Sequence, residues 1–272
     1  MSKPLLIDTF AGSGGAAKGY TDAGFDVIGI DNVNQPLYPY RFIQGDAMEF
    51  LQYMVEDKTW NGIEPEDVGW IHASPPCPAY STMNNRPKTS TSPKLIEPVR
   101  TQLRALANYG TQWVIESVEG ARSYMENPLR LHGGMFGMRI YRPRLFETNA
   151  ALAAPPRGGR PKNPVSVYGR YEDGRVLRNR VDGTQLVAAS LREAQEAMGM
   201  PWADWTGIRN AVPPAYTEWI GRQLLTASGW PVQPTLADRV RALICSEGRD
   251  EHGHTECWHL AEAADILEAR GA

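Results

Sequence analysis

A cysteine flanked by prolines, Pro76-Cys77-Pro78, follows the apolar run Trp70-Ile71-His72-Ala73 and leads into a polar loop. A thiol held at a strand end in this way is rigid and exposed, the setting of a reactive nucleophile rather than of a packing cysteine. Glu116 stands at the end of another apolar run, Trp113-Val114-Ile115. Arg142 and Arg144 alternate in Arg142-Pro143-Arg144-Leu145-Phe146, which places both guanidinium groups on one face of an extended segment. A thiolate, a carboxyl and a pair of fixed cations are a nucleophile, a proton donor and an electrostatic stabiliser.

A second group of residues suits a nucleotide-like cofactor. Leu5-Leu6-Ile7-Asp8-Thr9-Phe10 ends at the glycine-rich turn Gly12-Ser13-Gly14-Gly15, whose backbone amides can approach a ligand closely. Asp31 closes the next apolar run and is placed for ribose hydroxyls, and Asp46, in Gly45-Asp46-Ala47, is placed to accept from an adenine amino group. Taken alone, the same residues also describe a tight turn with solvated acids at strand ends.

These residues need elements to hold them. Strands are expected at 5–10, 27–30, 70–73 and 113–115, with helices over 16–23, 46–55 and 94–109. That alternation predicts an α/β, Rossmann-like, doubly wound parallel sheet with ligands at the carboxyl ends of its strands. From 149 to 189 the texture turns to proline, glycine and arginine, with short strands at 165–168 and 175–177 expected to pair as a hairpin around Glu172-Asp173-Gly174. Helices resume after Ser190, a candidate N-cap, and after Pro213-Pro214. The expected organisation is a catalytic and cofactor-binding domain over 1–148 and a small target-recognition segment over 149–189. The chain then returns to the catalytic domain over 190–229 and ends in a helical tail over 230–272.

In this order the blocks resemble the cytosine carbon-5 DNA methyltransferase family over most of residues 4–225. Asp8-Thr9-Phe10-Ala11-Gly12-Ser13-Gly14-Gly15 is similar to its cofactor loop, and Pro76-Cys77 with Tyr80-Ser81 to its nucleophile motif. Glu116-Ser117-Val118 is similar to its Glu-Asn-Val motif, with Ser117 in the Asn position. Arg142 and Arg144 match the arginines of Gln-x-Arg-x-Arg, with Ile140 in place of the Gln; Asn210-Ala211-Val212-Pro213 matches Gly-Asn-x-Val-Pro, with Arg209 in place of the Gly.

The resemblance implies S-adenosylmethionine as cofactor, converted to S-adenosylhomocysteine. Phe10, Gly12, Ser13, Gly15, Asp31, Asn32, Asp46, Ala47, Pro76 and Asn210 would contact it. It implies Cys77, Glu116, Arg142 and Arg144 as the catalytic set acting on a cytosine flipped out of duplex DNA. The loop from Thr82 to Pro93 is then a candidate lid, with Ser81, Arg86 and Lys88 touching DNA. An RNA (tRNA) cytosine methyltransferase and a catalytically inactive DNA-binding homologue are the alternative readings.

Charge distribution suits a polyanionic substrate, and taken alone it equally describes a solvated, charge-rich surface loop. Residues 1–70 hold eleven acids and four bases, whereas residues 139–180 hold ten bases and three acids. Arg157, Arg160, Lys162, Arg170, Arg175, Arg178 and Arg180 are therefore the expected DNA contacts of the recognition segment. Its shortness predicts a DNA site of about two to four base pairs.

With 272 residues, 42% hydrophobic and 22% charged, the chain can bury one large core. No run approaches the roughly 18 apolar residues of a membrane span, and the start enters a strand directly, so a cytoplasmic location is expected; separately, a monomer is expected. Three cysteines are too few for a disulfide framework. Cys245, His252, His254 and Cys257 in the tail are a weak zinc candidate, because their spacing fits no familiar zinc module and acidic residues surround them.

Overall fold

The computed structural model describes residues 3–76, 94–156, 158–159, 161, 164–168, 186–188 and 190–232. Strands β1 (Leu5–Thr9), β2 (Asp26–Asp31), β3 (Arg41–Gln44), β4 (Trp70–Ala73), β5 (Gln112–Val118), β6 (Leu129–Leu131) and β7 (Arg144–Thr148) form one sheet. Its order is β3-β2-β1-β4-β5-β7-β6. The first five strands run parallel, and β7 pairs antiparallel with both β5 and β6. Strand order reverses between β1 and β4, and in such a sheet a crevice opens at that point beyond the carboxyl ends.

Side chains alternating along the strands feed two cores. Ile7, Ile28, Ile71 and Ile115 pack on α2 (Ala47–Val55) and α3 (Ile96–Ala107), while Leu6, Val27 and Val114 pack on α1 (Gly15–Ala23) and α6 (Pro214–Ala227). Runs apolar at every position, such as Leu-Leu-Ile in β1, are what a sheet covered on both faces demands. Helix α1 lies so close to α6 that a Cβ on Gly19 would sit 2.1 Å from the Pro214 carbonyl oxygen, so only glycine permits this packing.

A third core joins Ile140, Val165 and Val167 to α4 (Leu191–Met198) and α5 (Trp205–Asn210). Ser190 caps α4 as expected, its Oγ accepting from the Glu193 amide at 3.1 Å. Among the described residues strand β8 (Val165–Ser166) has no antiparallel neighbour. Its partner is β9 (Leu186–Val187), and the pairing is parallel. The chain between them is long enough for the crossover that parallel pairing requires. Residues 175–177, expected in a hairpin, lie outside the described residues, as do the lid at 82–93 and the tail from 233 onward. Among the described residues no helix is long and apolar enough to cross a membrane.

Candidate active site

A cleft of about 1400 Å³ opens along the carboxyl ends of β1, β2, β4 and β5. Phe10, Gly12, Ser13, Gly15, Asp31, Asn32, Asp46, Ala47, Pro76 and Asn210 all line it, and so do Glu116, Arg142 and Arg144. Every described residue expected to touch cofactor or to act in catalysis therefore faces one space. Cys77 itself, with Ser81, Arg86 and Lys88, lies outside the described residues; Pro76, its chain neighbour, is exposed in the cleft wall. Arg157, Arg160, Lys162, Arg170, Arg175, Arg178 and Arg180 are outside them too, as are Cys245, His252, His254 and Cys257. No cluster able to hold a metal ion occurs among the described residues.

The glycine-rich wall is built by short backbone contacts. Gly12 and Gly14 have φ of 51° and 82°, the left-handed region where a Cβ is costly. Asp31 braces the turn, accepting from the Gly12 amide with one oxygen and from the Val33 amide with the other, both at 2.9 Å. Asp46 uses Oδ1 to cap α2 through the Met48 and Glu49 amides. The turn is clamped from the far end of the chain, because Trp202 Nε1 donates to the Ser13 carbonyl at 2.8 Å. A Cβ on Gly15 would meet the Val212 carbonyl oxygen at 2.2 Å.

This wall fits the expected cofactor. It combines a carboxylate-braced, glycine-rich turn, the start of α1 and a buried Ser13 hydroxyl with no hydrogen-bond partner among the described residues. Such donors suit the carboxylate and hydroxyl groups of S-adenosylmethionine.

Facing it is the ionisable group of the site. In the β5–β7 register Arg144 opposes Val118, and Glu116 opposes Phe146. Arg144 and Glu116 are thus diagonal neighbours on one face, within reach of long side chains. Arg144 Nε meets Glu116 Oε1 at 2.8 Å, with both side chains buried. Burial pushes the Glu116 carboxyl above the usual range, and Arg144, Arg142 and the nearby Ser74 side chain pull it back without cancelling the rise. On β1, Asp8 is fully buried at the same cleft, and burial followed by repulsion from Asp31 holds it well above its ordinary value.

Arg142 differs from the expectation that it lies beside Arg144 on an extended segment. Its φ of 30° takes it out of the strand, and β7 begins two residues later. Its guanidinium reaches the Ala211 carbonyl at 2.7 Å, the Arg209 carbonyl at 2.7 Å and the Tyr168 hydroxyl at 2.7 Å. Burial, then Arg144, lowers its pKa to about 10. Arg142 therefore ties the Arg209–Ala211 backbone to the sheet. Phe10, with φ of 56°, is a second non-glycine residue in this region lining the cleft, and such backbone strain gathers where function over-determines it.

Tyr168 was not singled out from the sequence. Its hydroxyl lies 2.7 Å from Arg142 Nη1 and 3.5 Å from Arg144 Nη2, and it donates to the Arg209 carbonyl at 3.1 Å. Burial raises its pKa, but the two guanidinium groups outweigh this and hold it below the ordinary value. An isolated Tyr after Val165-Ser166-Val167 in an irregular stretch carries no local sign of this partnership.

No protein-family model matches the chain, and no curated protein matches it. Solved structures do. One is described as a DNA modification methyltransferase encoded within a prophage of E. coli, with TM-score 0.55, 14% identity, and coverage of 83% of this chain and 99% of that one. The Entamoeba histolytica methyltransferase EhMeth gives TM-score 0.51 at 11% identity over 84% of this chain and 99% of its own. The S. pombe Dnmt2 methyltransferase gives TM-score 0.51 at 12% identity over 84% of this chain and 100% of its own. The chain has the Rossmann-like α/β fold of these methyltransferases.

Proposed function

We propose that this protein is an S-adenosylmethionine-dependent DNA (cytosine-5-)-methyltransferase. The observation that carries the reading is one cleft in which a carboxylate-braced glycine turn faces the buried Glu116–Arg144 pair, with the strand end leading to Cys77 in its wall. The description of a structural neighbour as a DNA modification methyltransferase supports it.

On this reading Phe10, Gly12, Ser13, Gly15, Asp31, Asn32, Asp46, Ala47, Pro76 and Asn210 hold the cofactor, which supplies a sulfonium-bound methyl group. Carbon 5 of cytosine is too weak a nucleophile to take that methyl unaided. The Cys77 thiolate adds to carbon 6, forming a sulfur–carbon bond and moving electron density to carbon 5. Glu116, holding a proton because of its burial, hydrogen-bonds ring nitrogen 3 and the exocyclic amine. Arg144 faces the charge developing at the ring carbonyl, while Arg142 and Tyr168 hold Arg144 and the Asn210 segment in place. Once the methyl is on carbon 5, loss of the carbon-5 proton returns an electron pair to the ring and expels the thiolate.

The test is transfer of labelled methyl from S-adenosylmethionine to duplex DNA, with Cys77→Ser alongside. Label on cytosine carbon 5 with the wild type alone establishes reaction and nucleophile together. Label on RNA alone would move the substrate to the RNA reading, and cofactor binding without transfer to either would favour an inactive binder.

A further inference from the structure

Around the carboxyl end of β5 the cleft has a rim of cations that the mechanism above does not use. Strand β5 runs directly into the 3-10 turn Glu119–Tyr124, which starts three residues after Glu116. Glu119 and Gly120 of this turn line the cleft, as do Leu95 and Tyr141. Each cation is fastened to these groups or stands among them. Arg130, on β6, donates from Nε to Glu119 Oε1 at 2.5 Å and from Nη2 to the Tyr141 hydroxyl at 3.2 Å. Lys94, next to Leu95 in the chain, places Nζ 5.0 Å from the centre of the Tyr124 ring and 3.5 Å from its hydroxyl. Arg122 belongs to the turn itself and is exposed.

We propose that Lys94, Arg122 and Arg130 form a phosphate-binding rim that grips the backbone of duplex DNA beside the nucleotide held at Glu116.

The anchor of the rim is rigid. The Tyr141 ring lies against the buried His132 ring with centroids 4.8 Å apart, and its carbonyl accepts from the Gly133 amide at 2.8 Å. Arg130 is held on two sides, yet its side chain is 32% exposed and its Nη1 has no hydrogen bond among the described residues. A guanidinium fixed in this way offers its remaining donors at a low ordering cost.

The charge balance favours an anion. Among the described residues Lys94 and Arg122 form no ion pair, and the neighbouring acids Glu97 and Glu126 are engaged by Arg100 and Arg104. Glu119 is the acid that the rim itself engages, and water screens that half-exposed pair enough for a phosphate to replace the carboxylate. Tyr141 belongs to the basic interval 139–180, so the rim stands where that interval enters the cleft. A nucleotide turned out of a duplex needs the phosphates beside it held while its base is in the pocket, and such contacts carry no sequence information. The rim rests on the proposed function for the identity of its ligand.

The test is fluorescence anisotropy of labelled duplex DNA across a salt series, with the full-length protein. Replacing Lys94, Arg122 and Arg130 with Ala is expected to reduce the slope of log affinity against log salt by roughly 2–3. Lys94→Ala with Arg122→Ala, at two exposed positions where folding is not at stake, should remove roughly 2 on its own. Cofactor affinity in calorimetry should match the wild type in both. A control with Lys18→Ala, Arg41→Ala and Lys58→Ala changes the net charge equally and is expected to leave the slope as it is. A wild-type slope in the rim variants, or an equal loss in the control, overturns the proposal. A slope reduced on single-stranded RNA but unaltered on duplex DNA overturns the assignment to DNA. Methyl transfer to DNA with an unaltered slope would sink the rim alone, whereas a reduced slope without transfer would sink the proposed function alone.

Discussion

At the scale of the residue, the site turns on a carboxyl that its surroundings keep from ionising easily. Burial raises Glu116, so between its ordinary value and its raised one the folded protein binds more protons than the unfolded chain. Stability from this group is then present at low pH and lost as pH rises through the raised value. Glu116→Gln mimics the protonated form and is expected to flatten that stretch of the stability profile in urea titrations at a series of pH values. The same variant should lower methyl transfer by about 10²–10⁴-fold while leaving cofactor affinity unchanged, a split readable in kinetics and equilibrium binding. Tyr168→Phe removes one hydroxyl from between Arg142 and the Arg209 carbonyl. Its expected cost is about 1.5–3 kcal/mol of stability, as for a hydrogen bond to a charged group, and a change within experimental error would show that the clamp holds without it.

Elements bring these residues together, and here the sequence was readable only where periodicity is local. Strands β1, β2, β4 and β5 and helices α1, α2 and α3 were legible as apolar runs with glycine or acid punctuation. Strand β3 was not, because Arg41-Phe42-Ile43-Gln44 is a short, half-exposed edge strand. The pairing of β8 with β9 was not legible, because parallel partners are chosen by distant packing rather than by a local turn signal, and the hairpin expected around Glu172-Asp173-Gly174 lies outside the described residues. Asp31 and Asp46 were placed correctly at strand and helix ends, but their contacts with backbone amides follow from turn geometry no motif encodes.

Two positions carry element-scale predictions. Arg100 of α3 is 2% exposed and pairs with the buried Glu147 of β7, Nε to Oε1 at 2.5 Å and Nη2 to Oε2 at 2.8 Å. Glu147→Ala leaves that guanidinium without its buried partner, and denaturation should show a loss of about 3–5 kcal/mol, much of it recovered when Arg100→Met removes the charge as well. Gly15→Ala drives a Cβ into the Val212 carbonyl across the α1–Val212 contact. The expected result is about 1–3 kcal/mol of destabilisation with weaker cofactor binding in calorimetry, since the same shift displaces Asn210 from the cleft.

For the whole molecule the decisive quantity is where charge lies rather than its sum. A net charge of -3 would repel a polyanion weakly, yet the acids concentrate in residues 1–70 and the bases in residues 139–180. Most of the cofactor wall, from Phe10 to Ala47, is drawn from the acidic interval. The arginine pair that faces Glu116 belongs to the basic interval, so the substrate would approach from the side on which that interval enters the cleft. If Arg175, Arg178 and Arg180 neutralise phosphates, each releases counterions on binding, and the logarithm of affinity falls with the logarithm of salt in proportion to their number. Replacing the three with Ala should reduce the slope for duplex DNA by roughly 2–3 while cofactor binding stays unchanged. Fluorescence anisotropy across a salt series reads both the slope and the affinity. A slope equal to that of the wild type would place the phosphate contacts elsewhere in the chain. A reduced slope with an unchanged methylation sequence would assign this arginine run to holding the duplex, leaving choice of the cytosine to the groups around the cleft.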